Sequence, residues 1–146
     1  MEIGVVRRPA CGTANRVAAA ATGRPTCGRC EAPLPWITEA VDADFDAVAA
    51  RASIPVLVDL WAPWCGPCRT VGPAVERTAT DLAGRVKVVK VNVDEAPATA
   101  ARFGARSIPT LLMLREGRVV GRIVGARSAG ELRRWVEETL TSDATV

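Results

Sequence analysis

The sequence predicts an α/β fold, a central mixed sheet with helices on both faces, preceded by a small cysteine-bearing segment. Three observations carry this. Two near-continuous apolar runs, Pro55 to Trp61 and Val86 to Val93, have the pattern of strands buried on both faces. Helical periodicities alternate with them. A change of composition near residues 31 to 36 separates an Arg-, Gly-, Ala- and Cys-rich beginning, without sustained 2- or 3.6-residue periodicity, from this alternating body.

The elements follow in order. Trp36-Ile37-Thr38 suggests a short first strand, and Asp42 or Asp44 can cap a helix running to about Ala52 with Phe45, Val48 and Ala49 on its apolar face. The run V-L-V-D-L-W at 56–61 is the second strand. A helix is expected from about Pro67 to Leu82, with Pro73 inside it as a kink point. Val86 to Val93 is the third strand, and Pro97, at a favoured first-turn position, opens a short helix to Phe103. Thr110 to Leu114 and Arg118 to Val124 form a hairpin around Arg115-Glu116-Gly117. Ser128 with Glu131 three residues on is a capping box for a last helix to about Leu140. Parallel strands with helical crossovers, closed by an antiparallel hairpin, complete the layered arrangement. The expected division is 1–35 and 36–146, with Pro33 and Pro35 bracketing Leu34 as a stiff joint.

Charge excludes several functions. Residues 1–35 hold Arg7, Arg8, Arg16, Arg24 and Arg29 against Glu2 and Glu31, which accounts for the whole net charge of +3; the remainder balances 14 against 14. A neutral body offers no footprint for nucleic acid or anionic lipid, so neither is expected as a partner. No apolar run approaches the ~18 residues of a membrane span, and Val17 to Ala21 is too short for the core of a signal peptide. The protein reads as cytoplasmic and, by default, monomeric. In a reducing compartment, its five cysteines point to redox chemistry or metal binding before structural disulfides.

Cys65-Gly66-Pro67-Cys68 stands after a buried strand and at the start of a helix. Two intervening residues in the first helical turn bring both sulfurs within disulfide reach. Cys65 lies at the helix N-terminus, where unpaired N–H groups and the positive dipole end favour a thiolate, so Cys65 is the expected nucleophile. Cys68, one turn in and expected to be the more buried, would resolve the mixed disulfide. The chain shows no glycine-rich nucleotide motif, so no bound cofactor is expected for this chemistry.

Cys27-Gly28-Arg29-Cys30 is a second C-x-x-C. Cys11 precedes Cys27 by the spacing of a four-cysteine zinc ribbon, and the remaining position of that pattern is occupied by Arg8. Structural zinc takes four closed ligands and the chain has no histidine. Glu2, Glu31 or a water could complete the set; Arg8 could instead sit as a cation beside metal-free thiolates; Cys27 and Cys30 could form an oxidant-responsive disulfide.

Residues 56–68, V-L-V-D-L-W-A-P-W-C-G-P-C, resemble the thioredoxin family, together with Lys90-Val91-Asn92-Val93-Asp94, Phe103 to Thr110, Glu116-Gly117 and Val124-Gly125-Ala126. The beginning, Arg8 to Val17, is similar to the zinc ribbon of the thioredoxin 2 type with one ligand missing. The resemblance implies a thioredoxin fold and a cytosolic protein-disulfide reductase that a flavin- and NADPH-dependent thioredoxin reductase recharges. It implies that Asp59 accepts the proton of Cys68 beside Lys90, which suits a carboxylate whose pKa is raised by an apolar strand. It also implies that Pro109 is a cis-proline against the disulfide, that Ile108 bonds an extended client strand, and that Gly104 and Gly125 flank this groove with Gly66, Pro67, Trp61 and Trp64 at its rim. The alternatives are an oxidase or isomerase of the same fold, or a binding module with incidental cysteines.

Overall fold

The computed structural model describes the backbone of residues 3–7, 11–21 and 23–144, and the side chains of 11–21 and 23–143. A two-stranded antiparallel sheet comes first, β1 (Ile3–Arg7) against β2 (Ala14–Ala18). The main sheet has five strands: β3 (Ile37–Glu39), β4 (Val56–Trp61), β5 (Lys87–Asn92), β6 (Thr110–Arg115) and β7 (Arg118–Val124). Their order is β3-β5-β4-β6-β7, with β3, β5 and β4 mutually parallel and β6 and β7 added antiparallel. Helices α1 (Gly66–Asp81), α2 (Pro97–Arg102) and α3 (Ala129–Ala144) complete it with a π-helical stretch at Asp46–Ala50.

Strand β4 is central because its residues suit both faces. Val56, Val58 and Leu60 join Phe45, Val48 and Ala49 from the π-helical stretch and Ala96 beside α2. Leu57 joins Val71, Val75 and Ala79 of α1 and Leu132 and Val136 of α3 on the other face. That two-sided burial is what a continuous apolar run encodes. The β6–β7 turn has positive φ at both Glu116 (54°) and Gly117 (79°), the geometry that a two-residue hairpin requires. The capping box forms as the spacing predicts: Glu131 N–H donates to Ser128 Oγ (3.2 Å) and Ser128 N–H to the Glu131 carboxylate (3.3 Å).

Two expectations are corrected. The predicted helix from Asp42 or Asp44 to Ala52 is only a π-helical stretch without a side-chain cap. Asp44 accepts from Val41 N–H at 2.8 Å, while Asp42 crosses to α2 and accepts from Ala98 N–H, Thr99 N–H and the Thr99 hydroxyl. The short acidic side chain caps the helix whose free N–H groups face it in space, not the one that follows it in sequence. At the Pro33–Pro35 joint, Leu34 is 1% exposed and packs with Val17, Cys27, Trp36 and Ile54. An apolar side chain between the prolines anchors the joint. The first thirty residues, read as lacking periodicity, contain the β1–β2 ladder.

A fully buried lysine sits at this junction. Lys87 donates to the carbonyls of Ala19 and Val48 (2.6 Å to the latter), with its ammonium 4.1 Å from the Trp36 ring centroid. Burial pulls its pKa down to about 8. Lys87 was legible only as one of two lysines in an apolar strand; its partners come from elements far apart in sequence.

Candidate active site

At the C-terminal edge of β4 the chain turns through Ala62, Pro63 and Trp64 into α1, and Cys65 and Cys68 form a disulfide with Cα atoms 5.3 Å apart. Cys65 is the N-cap of α1, in extended conformation (φ −87°, ψ 110°), and its Sγ accepts from Cys68 N–H at 3.2 Å. Pro67 occupies the first turn, where its missing N–H leaves no helical bond unmade. A donor aimed at Sγ from the positive end of a sixteen-residue helix is the arrangement that stabilises a thiolate there once the pair is reduced. The expectation that Cys68 is the more buried is not met: Cys65 is 4% exposed and Cys68 6%. Ile108 packs against the pair with its carbonyl oxygen 3.7 Å from Cys65 Sγ, covering the first sulfur as helix α1 covers the second.

Asp59 lies within β4, 1% exposed and paired in register with Lys90 of β5. Its Oδ1 has no hydrogen-bond partner among the described residues. Burial raises its pKa from 3.8 to about 6, with Lys90 pulling weakly the other way. The Lys90 ammonium is 5.1 Å from the Trp61 ring centroid. A pocket of about 220 Å³ lined by Trp61, Ala62, Pro63, Cys68, Arg69, Gly72 and Lys90 lies between Cys68 and the half-buried Lys90.

The Ile108–Pro109 peptide bond is cis. Pro109 is buried and its carbonyl accepts from Gly125 N–H at 2.9 Å. Gly104 (φ 61°) and Gly125 (φ 97°) both stand in the left-handed region, which explains glycine at each. Trp64 is 68% exposed, and its indole N–H donates to both carboxylate oxygens of Asp94 at 3.2 and 3.1 Å. Asp94 was quoted only within a matching run; its hold on the rim tryptophan spans thirty residues and has no local signal. Cys65, Cys68, Ile108, Pro109, Gly125, Gly66, Pro67 and Trp64 are thus brought together at one end of the sheet, while Asp59 and Lys90 pair within its strands.

Cys11, Cys27 and Cys30 gather elsewhere, with ligand atoms within 4.8 Å of one another. The Sγ of Cys11 lies 3.6 Å from that of each partner. N–H groups of Cys30 and Arg29, aided by the Asn15 amide, lower the Cys27 thiol to about 6. Asn15, which the sequence offered only within the Arg8 to Val17 run, also accepts from Gly28 N–H at 2.9 Å and so ties β2 to the knuckle. Position 8, where the fourth ligand of the ribbon pattern falls, is Arg8 and lies outside the described residues, as does Glu2.

The thioredoxin family model matches residues 36–138. The chain is 48% identical over 97 residues to a thioredoxin of Haemophilus influenzae, covering 66% of this chain and 91% of that protein. It is 54% identical over 85 residues to thioredoxin 1 of Synechococcus elongatus, covering 58% and 79%. Over 102 residues it is 45% identical to thioredoxin 1 of a Nostoc species, covering 70% and 95%. Among the described residues no helix is long and apolar enough to cross a membrane. With a redox dithiol at a helix N-terminus and these relatives, the chain belongs to the thioredoxin family and is a thiol–disulfide oxidoreductase of the protein-disulfide reductase kind.

Proposed function

We propose that this protein reduces disulfides of cytoplasmic client proteins through a Cys65/Cys68 cycle, with Asp59, Lys90 and Pro109 completing the machinery. The Cys65 thiolate attacks one sulfur of a client disulfide, forming a mixed disulfide and expelling a client thiolate. Asp59, beside Lys90, takes the proton of Cys68. The Cys68 thiolate then attacks Cys65 Sγ, releases the second client thiol and leaves the Cys65–Cys68 disulfide; two electrons have passed to the client. An extended client segment lies along Ile108, between Gly104 and Gly125 on one side and Trp64, Gly66 and Pro67 on the other. NADPH-dependent thioredoxin reductase returns two electrons to the pair, and the protein works as a monomer without a bound redox cofactor.

The observation that carries this reading is Cys65 at the N-cap of α1, accepting from Cys68 N–H. The test is insulin reduction driven by dithiothreitol. Wild type accelerates it, and Cys65→Ser is expected at the uncatalysed rate; turnover surviving in that variant would contradict the assignment.

Residues 1–35 act as an appendage of the thioredoxin 2 type, and residues 36–146 as the redox domain. In support, tetrahedral zinc with Zn–S near ~2.3 Å places its sulfurs about 3.8 Å apart, close to the 3.6 Å contacts of Cys11. Cys11, Cys27 and Cys30 would hold three corners, an oxygen donor the fourth, and the ion would tie knuckle to β2. Metal analysis of protein purified without chelator is expected to find close to one equivalent of zinc; less than about a tenth would remove the metal from this account.

A further inference from the structure

The rim of the client groove is electrostatically lopsided. The Gly104–Gly125 side carries three arginines. Arg122 of β7 donates to the carbonyls of Phe103 and Gly104 (3.0 Å to the latter), which holds its charge beside Gly104. Arg106 is exposed two residues before Ile108, and its backbone N–H donates to the same Gly104 carbonyl at 2.9 Å. A Cβ placed on Gly125 would lie 3.5 Å from Nη1 of Arg127, so that guanidinium overhangs the glycine whose N–H binds the Pro109 carbonyl.

Three acidic groups stand near this flank, and Glu138 of α3 shares a pocket lining with Arg122 and another with Arg127 and Arg134. Asp46 is committed to Arg102 at 2.8 Å. Glu131, which feels Arg127, is engaged by the Ser128 hydroxyl and N–H in its capping box. The opposite rim is mixed: Arg69, donating to the Pro63 carbonyl at 3.2 Å, stands against exposed Asp94 and Glu95. The chain beyond residue 35 is neutral overall, so this cationic flank is a local arrangement.

We propose that Arg106, Arg122 and Arg127 make the groove selective for client disulfides whose flanking segment on the Gly125 side carries Asp or Glu. This rests on the client groove assigned above. The chemistry is unchanged: the client disulfide is reduced to two thiols and the Cys65/Cys68 dithiol is oxidised. What the arginines alter is encounter and registry, because complementary surface charge acts mainly on association rate and partner choice.

The test uses the pre-reduced full-length protein and three disulfide-linked peptides that differ only in residues flanking the cysteine: Glu, Ser or Lys. At low ionic strength the second-order rate is expected to fall in that order, with Glu about tenfold or more above Lys. In 0.5 M NaCl, where screening shortens to a few ångströms, the ratio should approach one. Arg106→Glu with Arg127→Glu is expected to invert the order, and Arg106→Gln with Arg127→Gln to flatten it. Arg133→Glu, the same change of charge on α3 away from the groove, should leave the ratio as in wild type. A Glu/Lys ratio near one at low salt, or a preference that survives both pairs of arginine substitutions, overturns the inference. A Ser-flanked peptide left unreduced would instead overturn the redox reading beneath it.

Discussion

Asp59 pairs an acidic side chain with a site that disfavours its charge. Its folded-state pKa, about 6, lies above the ordinary 3.8, so the folded protein holds that proton more tightly than the unfolded chain. Its protonated form is therefore compatible with full stability below about pH 4. Stability declines as pH rises through the 4–6 window, by about 3 kcal/mol for a shift of this size. Asp59→Asn keeps the shape and removes the charge. It is expected to raise the unfolding free energy by up to about 3 kcal/mol at pH 8 and to leave it nearly unchanged near pH 3, measured by denaturant titration at both values. The same variant should slow the release of mixed disulfides above pH 7. Equal stability changes at both pH values would contradict the buried-carboxylate account. Asp59 was legible because a carboxylate in the middle of an apolar strand stands out. Asp94, which clamps the Trp64 indole, and Asn15, which braces the cysteine knuckle, were not. Short polar side chains acquire such roles only from neighbours that folding supplies.

Among the elements, the strands and main helices could be read from period and capping because each is determined by residues a few positions apart. Buried runs marked β4 and β5, and Ser128 with Glu131 marked α3. The stretch after β3 was less legible: Phe45, Val48 and Ala49 are buried as their spacing indicates, but the hydrogen bonding is π-helical and its presumed cap serves α2. The segment ahead of β3 was misjudged most. Its β1–β2 ladder has only five residues a side, with Arg7 and Arg16 among the apolar ones, so no period rises above the background. The packing of Leu34 and Lys87 shows that the joint belongs to the fold. Leu34→Ala is accordingly expected to cost about 3 kcal/mol, the ordinary consequence of emptying a fully buried leucine site. Thermal unfolding should stay a single transition with a lower midpoint. A change below about 0.5 kcal/mol would mean that the joint is a linker after all.

At the scale of the whole molecule, the sheet separates two sulfur centres. Ile54, just before β4, packs against Cys27, whereas Cys65 follows the other end of that strand. Six strand residues put about 20 Å between those ends, so the thiol cluster of residues 11–30 cannot exchange with the redox pair of its own chain. Strand adjacency, β3-β5-β4-β6-β7, is what creates this polarity. The sequence announced parallel strands and crossovers but not their order, which depends on contacts between residues dozens of positions apart. The consequence is that only one of the five cysteines should capture a client. The direct measurement is to react reduced Cys68→Ser protein with a disulfide-bonded client, quench with acid and map the adduct by mass spectrometry. A single covalent mixed disulfide at Cys65, with Cys11, Cys27 and Cys30 unmodified and no adduct in Cys65→Ser, is the expected result. Capture at any of the other three cysteines, or an adduct that persists without Cys65, would contradict it.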